Sequence, residues 1–446
     1  MQKNSREIAL KVLNEINEHG AYSNISLNRN IGYEISSLDD SLIRELVYGV
    51  LENKLFIDWI ILKFSKIKFK KISPYIRDII RLGIYQIMFM DRIPDSAAVN
   101  ESVKLAKKYG HKGSLGYVNG LLRNVTRNKD TIELPDKENN PNEYLSIKYS
   151  HPKWMIDEWV NEYGFDFTEA LCIANNKKPS LNIRVNTLKN SIEELMKSLR
   201  EKGFIVHRTV FANDGLVIDN PARITDTEEF KNGYFQIQDE SSMLVAQIMD
   251  PKEGSFVIDV CSAPGGKTTH IAQMMKNKGK IIARDVYDHK LNLIKENCER
   301  LDINIIETQL YNALRVDNKL IEKADYCLVD APCSGLGLLR RKPDIRWNKD
   351  LDNLNEITEL QYKILENSSK YVRKEGILVY STCTINRDEN INLVRKFINN
   401  NPEFKLINFK GLVNDLDEIV DNVGYIELFP NTHGTDGFFI AKMIKI

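Results

Sequence analysis

Two cysteines in this 446-residue chain stand where a packed core has little use for a thiol. Cys333 lies in "VDAPCSGLG" (329–337), three residues after Asp330 and just past the apolar run "DYCLV". Cys383 lies in "YSTCTINRDEN" (380–390), just past "GILVYST". Both apolar runs read as strands, so both thiols fall at strand ends, where open α/β folds bind ligands. Cys172, Cys298 and Cys327 read instead as small buried hydrophobes. A thiolate at a strand end is a candidate nucleophile, and a pair of them with an aspartate nearby suggests covalent catalysis. The six cysteines contain no C-x₂-C pair, and the seven histidines add no partner at ligand spacing, so no metal is expected.

A second constellation lies upstream. "FVIDVCSAPGGKTTHIAQMM" (256–275) reads as strand, glycine turn and helix, and Asp285 ends the next strand, 19 residues after Gly266. An acidic residue there meets ribose hydroxyls in Rossmann-type folds. The spacing is neither G-x-G-x-x-G nor G-x-x-x-x-G-K-[ST], since Cys261 stands where the latter needs its first glycine. A site that holds a ribose but lacks a pyrophosphate loop suggests S-adenosylmethionine. Methyl donor and thiolate together point to carbon 5 of a pyrimidine. That carbon is too weak a nucleophile until a thiolate adds to carbon 6, whereas an exocyclic amine needs no thiol. Asp330 stands where it could bond the ring nitrogen, and the second cysteine could assist release.

The elements that must position these residues fall into three regions. Residues 1–128 read as helical, with starts at Ser5, Ser41, Ser73-Pro74 and Asp95 or Ser96. Residues 129–144 turn polar and proline-interrupted, as a linker does. Residues 145–250 mix strand and helix as a small α+β module, in which Arg184 is equally a structural residue or a contact to an anionic partner. Residues 251–446 alternate short apolar strands with helices, the pattern of a doubly wound parallel sheet, with "DGFFIAKMIK" as a late strand. The net charge of zero hides an asymmetry: residues 1–128 carry 20 Lys+Arg against 13 Asp+Glu, and the remainder 42 against 49. A basic N-terminal third suits an anionic partner such as nucleic acid. There is no apolar run of bilayer length and no signal-peptide pattern, so no membrane association is expected and the cytoplasm is the expected compartment.

"DVCSAPGGKTTHIA", "DAPCSGLG", "YSTCTINRDEN" and "HGTDGFFIAKM" (433–443) resemble the motifs of the NOL/NOP/Sun family of RNA cytosine-C5 methyltransferases. "RVNTLK" and "FQIQDESSMLVAQIMDP" resemble that family's small domain, and residues 1–128 resemble NusB, an RNA-binding antitermination factor. The resemblance implies a multidomain protein: an all-α NusB-like bundle, a small α+β RNA-binding module and an α/β Rossmann-like S-adenosylmethionine-dependent methyltransferase domain. It implies Cys383 as nucleophile, Cys333 as the residue assisting release, and Asp330 beside them. It implies a cofactor pocket of Cys261, Ser262, Ala263, Pro264, Gly265, Gly266, Lys267, Asp285, Asn312 and Asp330. Asn312, in "IETQLYNAL", replaces an acidic residue usual in the family. Lys342, Pro343 and Asp344 in "RRKPDIRW" resemble a segment expected near the substrate. The implied activity is methylation of a cytosine in small-subunit (16S) ribosomal RNA by a monomer. Transfer RNA as substrate, and a non-catalytic RNA-binding role, are the alternatives.

Overall fold

The computed structural model describes residues 4–32, 35–414 and 424–446. The chain forms two compact units, Met1–Lys177 with Leu339–Asp350, and Lys178–Leu338 with Leu351–Ile446.

The first unit is helical. The helix Ser5–His19 starts beside Asn4, whose side chain accepts from the Arg6 amide. The next long helix begins at Ser37 rather than after Ser41, because Ser36 caps it and Asp39 and Asp40 fill its first turn. Pro74–Phe89 starts on its proline and buries Ile79, Ile80 and Ile84 completely. Asp95–Tyr109 and Lys112–Asn128 complete the region read as a bundle. Three more helices, Pro141–Tyr149, Lys153–Tyr163 and Phe165–Asn175, belong to the same unit; they cover the end of the stretch read as a linker and the start of the stretch read as a small module.

Leu339–Asp350 joins this unit from far along the chain. Ser23 Oγ donates to Asp344 at 2.5 Å, and the Trp347 indole donates to Leu51 O at 3.0 Å. Arg346, 1% exposed, donates to Glu52 O, Ser150 O and Asn175 O at 3.1–3.2 Å and to Asn176 Oδ1 at 2.7 Å. These are carbonyls at helix ends, which lack partners within their own helices. Asp344, expected near the substrate, is thus engaged by Ser23.

The second unit holds two sheets. Strands β1 (Leu181–Val185), β2 (Val206–Arg208), β3 (Gly215–Ile218) and β4 (Phe235–Ile237) form a small antiparallel sheet in the order β2-β3-β1-β4. The larger sheet contains β5 (Phe256–Asp259), β6 (Lys280–Asp285), β7 (Ile306–Leu310), β8 (Ala324–Asp330), β9 (Val372–Thr382), β10 (Phe404–Leu406), β11 (Tyr425–Leu428) and β12 (Phe438–Lys445). Its order is β10-β12-β9-β8-β5-β6-β7, with β11 against β12. Strands β5 to β9 pair in parallel, while β12 runs antiparallel to β9. The sheet is therefore mixed, as a late C-terminal strand inserted into a parallel fold makes it. The chain reverses its order between β5 and β8, the point at which doubly wound sheets open a ligand crevice.

Candidate active site at the strand ends

The turn after β5 brings the chain back onto a helix, Gly266–Met274, through a sharp bend. Gly265 there has φ +98°, and a Cβ on it would press to within about 3.2 Å of Ile294, so glycine is needed on both counts. Ser262 fastens the turn to β6, its amide and Oγ both donating to Arg284 O at 2.9 and 3.0 Å. Cys261 is half-buried, and its thiol is pushed well up by burial and by the carboxylates of Asp259, Asp330 and Asp285. Asp285 closes β6, accepting from the Tyr287 amide at 3.1 Å. Asn312 lies two residues past β7; it is exposed, and its side-chain oxygen accepts from the Leu314 amide at 2.9 Å.

A nucleoside-bearing methyl donor suits this arrangement. The helix start after the left-handed glycine presents first-turn amides, and acidic side chains close two strands beside it. Among the described residues, no group of three or more His, Cys, Asp or Glu side chains is placed to share a metal ion.

The cysteines meet at the same edge. Asp330 is in register with Ser381 on β9, and the ladder ends one residue on, where the Ala331 amide donates to Ser381 O at 3.1 Å. Pro332 then turns the chain, and Cys333 Sγ comes to 3.1 Å from Cys383 Sγ. Gly337 supports the arrangement from behind: its amide donates to Cys383 O at 3.1 Å, and its carbonyl accepts from Gly437 N at 2.9 Å. A Cβ on Gly337 would overlap the Gly437 carbonyl, which explains glycine at that position. The closing motif "HGTDGFF" thus reaches the reactive pair through backbone.

Charge is distributed unevenly around the two sulfurs. Asp330 accepts from Lys267 Nζ at 2.6 Å and from Ser381 Oγ at 2.9 Å. Burial works against the Lys267 charge, but Asp330, and more weakly Cys383, overcome it and raise its pKa. Lys267 therefore stays cationic beside Cys383. The Cys333 thiol is held well above its ordinary value, first by its hydrogen bond with Cys383, then by burial and by Glu389. Lys267 thus interacts with Cys383, while the Cys333 thiol feels Cys383 first and Glu389 more weakly.

Cys383, Cys333, Asp330 and Lys267 thus come together at the mouth of the Cys261–Lys267 turn, while the Asn312 side chain is bound within its own loop. Sequence reasoning left Arg184 undecided. It is 1% exposed and donates to Gly266 O at 2.7 Å and Thr269 Oγ1 at 3.1 Å, with a further bond to Gln238, so it braces the glycine turn and does not face solvent. Glu389, Gln361 and Ser381 around the cysteines were missed altogether. The only signal for Glu389 was its place six residues after Cys383.

Fold and site define a Rossmann-like methyltransferase domain with a small ferredoxin-like module and a NusB-like helical region. Family models agree along the chain. One described as 16S rRNA methyltransferase RsmB/F matches residues 246–444, one for the NusB family matches 3–127, and one for the ferredoxin-like domain of RsmF/B-like methyltransferases matches 151–225. The chain is 40% identical, over the full length of both, to a probable ribosomal RNA small subunit methyltransferase B of Bacillus subtilis. It is 34% identical to the counterpart so named in Synechocystis, covering 99% of each. Among solved structures, a methyltransferase homolog protein from Pyrococcus horikoshii is 32% identical with a TM-score of 0.59, over 68% of this chain and 98% of that one. NSun6 from the same organism, solved with SFG, is 25% identical with a TM-score of 0.57, over 66% and 98%. This chain belongs to the ribosomal RNA small subunit methyltransferase B family.

Proposed function

We propose that this protein transfers a methyl group from S-adenosylmethionine to carbon 5 of a cytosine in 16S ribosomal RNA, through a covalent bond between Cys383 and carbon 6. The observation that carries this reading is the 3.1 Å approach of the two sulfurs beside Asp330, at the edge where the glycine turn opens. When bound, the cofactor supplies an electrophilic methyl group. The Cys261–Lys267 turn would hold it with Asp285 and Asp330, and Asn312 would reach it only by leaving its bond to the Leu314 amide.

The protein's own groups do the rest. Lys267 places positive charge beside Cys383, the field an attacking thiolate needs. Attack on carbon 6 moves electron density toward the ring nitrogen, where the Asp330–Lys267 pair can deliver a proton. The ring then carries an enamine-like carbon 5 able to take the methyl group. Loss of the carbon 5 proton to water, departure of Cys383 as thiolate with the electron pair of the sulfur–carbon 6 bond, and return of the ring-nitrogen proton to the Asp330–Lys267 pair restore aromaticity. Cys333, in contact with the departing sulfur, assists that step.

A stacked base must be extruded to reach such a pocket, at a cost of roughly a few kcal/mol. The basic helical region suits phosphate contacts: Lys63, Lys66, Lys68, Lys70 and Lys71 are all exposed within nine residues. No helix among the described residues is long and apolar enough to cross a membrane. On this reading the reaction takes place in the cytoplasm, on a monomeric enzyme.

The test is transfer of labelled methyl groups to unmodified small-subunit RNA. Wild type should form 5-methylcytosine, Cys383→Ala should form none, and Cys333→Ala should accumulate a covalent protein–RNA adduct. Full activity of Cys383→Ala would overturn the mechanism. Transfer to transfer RNA alone would overturn the substrate, and RNA binding with no transfer to any RNA would overturn the catalytic reading.

A further inference from the structure

Glu389 has no part in the mechanism above, yet it is fully buried beside the cysteine pair. One carboxylate oxygen accepts from Ser334 Oγ at 2.5 Å and from Thr384 Oγ1 at 3.4 Å. The other accepts from the Ser334 amide at 2.8 Å and from Gln361 Nε2 at 2.9 Å. Ser334 directly follows Cys333, and Thr384 directly follows Cys383. Those two hydroxyls also bond one another at 2.8 Å. Gln361, on the helix Leu351–Ser369, donates in addition to Pro332 O at 3.0 Å, the residue before Cys333.

The loop bearing Glu389 is itself fixed at both ends of the Cys383 turn. The Tyr380 hydroxyl donates to Glu389 O at 2.7 Å, and Asn390 Nδ2 donates to Thr384 O at 3.0 Å. Thr382 Oγ1 donates to Asn390 Oδ1 at 2.5 Å. A buried carboxylate is tolerated only where donors replace its water, and here they come from the two turns that carry the sulfurs and from Gln361 on the neighbouring helix.

We propose that Glu389 is the positioning residue of the cysteine pair: its carboxylate ties the Cys333 turn to the Cys383 turn and so fixes one sulfur against the other. The inference rests on the reading that Cys383 attacks and Cys333 assists release. Glu389 touches neither substrate nor cofactor; it acts through Ser334, Thr384 and Gln361. Glu389 also lies on the Cys333 side, where it adds, after Cys383 and burial, to the upward push on that thiol.

The test uses the full-length protein, unmodified small-subunit RNA and the methyl donor. Glu389→Gln preserves size, and its amide oxygen can still accept from the Ser334 amide and Gln361, but its NH₂ then faces the Ser334 and Thr384 hydroxyls, which must turn and give up the bonds they donate to the carboxylate. We expect kcat to fall about tenfold or more while KM for RNA and for the methyl donor stay within about twofold. The covalent adduct at Cys383 should accumulate, as in Cys333→Ala. Ser334→Ala removes one bond of the set and should lower kcat by about two- to fivefold, with the same adduct. A Glu389→Gln enzyme with kcat within about twofold of wild type overturns the inference, as does a loss that only tracks the folded fraction without adduct. If Glu389→Gln does not fold, an unchanged kcat in Ser334→Ala overturns it. Failure of the underlying reading looks different: wild type itself then forms no 5-methylcytosine, or its adduct forms at another residue.

Discussion

Arg184 and Arg346 are each 1% exposed, and burial pushes both guanidinium groups down to about 10, yet they serve different ends. Arg184 lies in the second unit, between the small sheet and the glycine turn. It donates to side chains of that unit and to one carbonyl of the turn, with Asp214 near enough to offset part of its desolvation. Arg346 lies in the first unit and donates mostly to backbone carbonyls, three of them from three separate parts of the helical chain. The nearest counter-charge, Glu52, is itself pushed up to about 7 by burial, with Arg346 only partly opposing the shift. One arginine braces the glycine turn; the other gathers chain ends. Burial alone does not tell these roles apart, but the identity of the acceptors does.

The sharpest way to break that contrast is Arg346→Ala. It leaves helix-end carbonyls buried without a donor, so the helical unit should lose about 3–5 kcal/mol in denaturant unfolding. A loss below about 1 kcal/mol would show that the segment is held by other contacts.

Next is the charge on Glu52. Its folded value of about 7 lies above the ordinary 4.5, so the folded unit favours the protonated form. That contribution is complete below about pH 4.5 and is lost as pH rises through 7. Unfolding measured from pH 4.5 to 8 should show wild type losing on the order of 2–3 kcal/mol relative to Glu52→Gln. Parallel pH profiles would disprove the assignment.

Arg184→Leu should act on function. Methyl-donor affinity, followed by calorimetry, should weaken about tenfold, or about 1.4 kcal/mol, with RNA affinity unchanged. Equal losses for both ligands would make Arg184 as structural as Arg346. The smallest expected effect is Trp347→Phe, which deletes the donor to Leu51 O and should cost about 1 kcal/mol of the helical unit's stability.

The cysteine centre was legible because its signal is local. Asp330, Pro332 and Cys333 are near neighbours in sequence, Cys383 ends the following strand, and strand ends at one edge of a parallel sheet converge. Arg184 could be noticed, as a charge among strand residues, but its acceptors lie 54 to 85 residues away and no spacing announces them. Glu389 read as one acid among many in "NRDEN"; only the fold aims it at both turns. Docking of 339–350 was illegible for the same reason, its bonds spanning 170 to 321 residues. The helix starts followed local capping, and the one marked displacement, from Ser41 to Ser37, arose where an earlier serine with acids behind it made the better cap.

The long reach of that segment also bears on how the protein is made. Residues 1–177 leave the ribosome first, but their unit is finished only when Leu339–Asp350 arrives. At roughly 5–20 residues per second, the intervening stretch of about 160 residues takes on the order of 10–30 s to synthesise. During that interval the carbonyls of Glu52, Ser150 and Asn175 lack the Arg346 donor. Completion of the helical unit therefore reports that translation has passed Cys333 but has not had to reach Cys383.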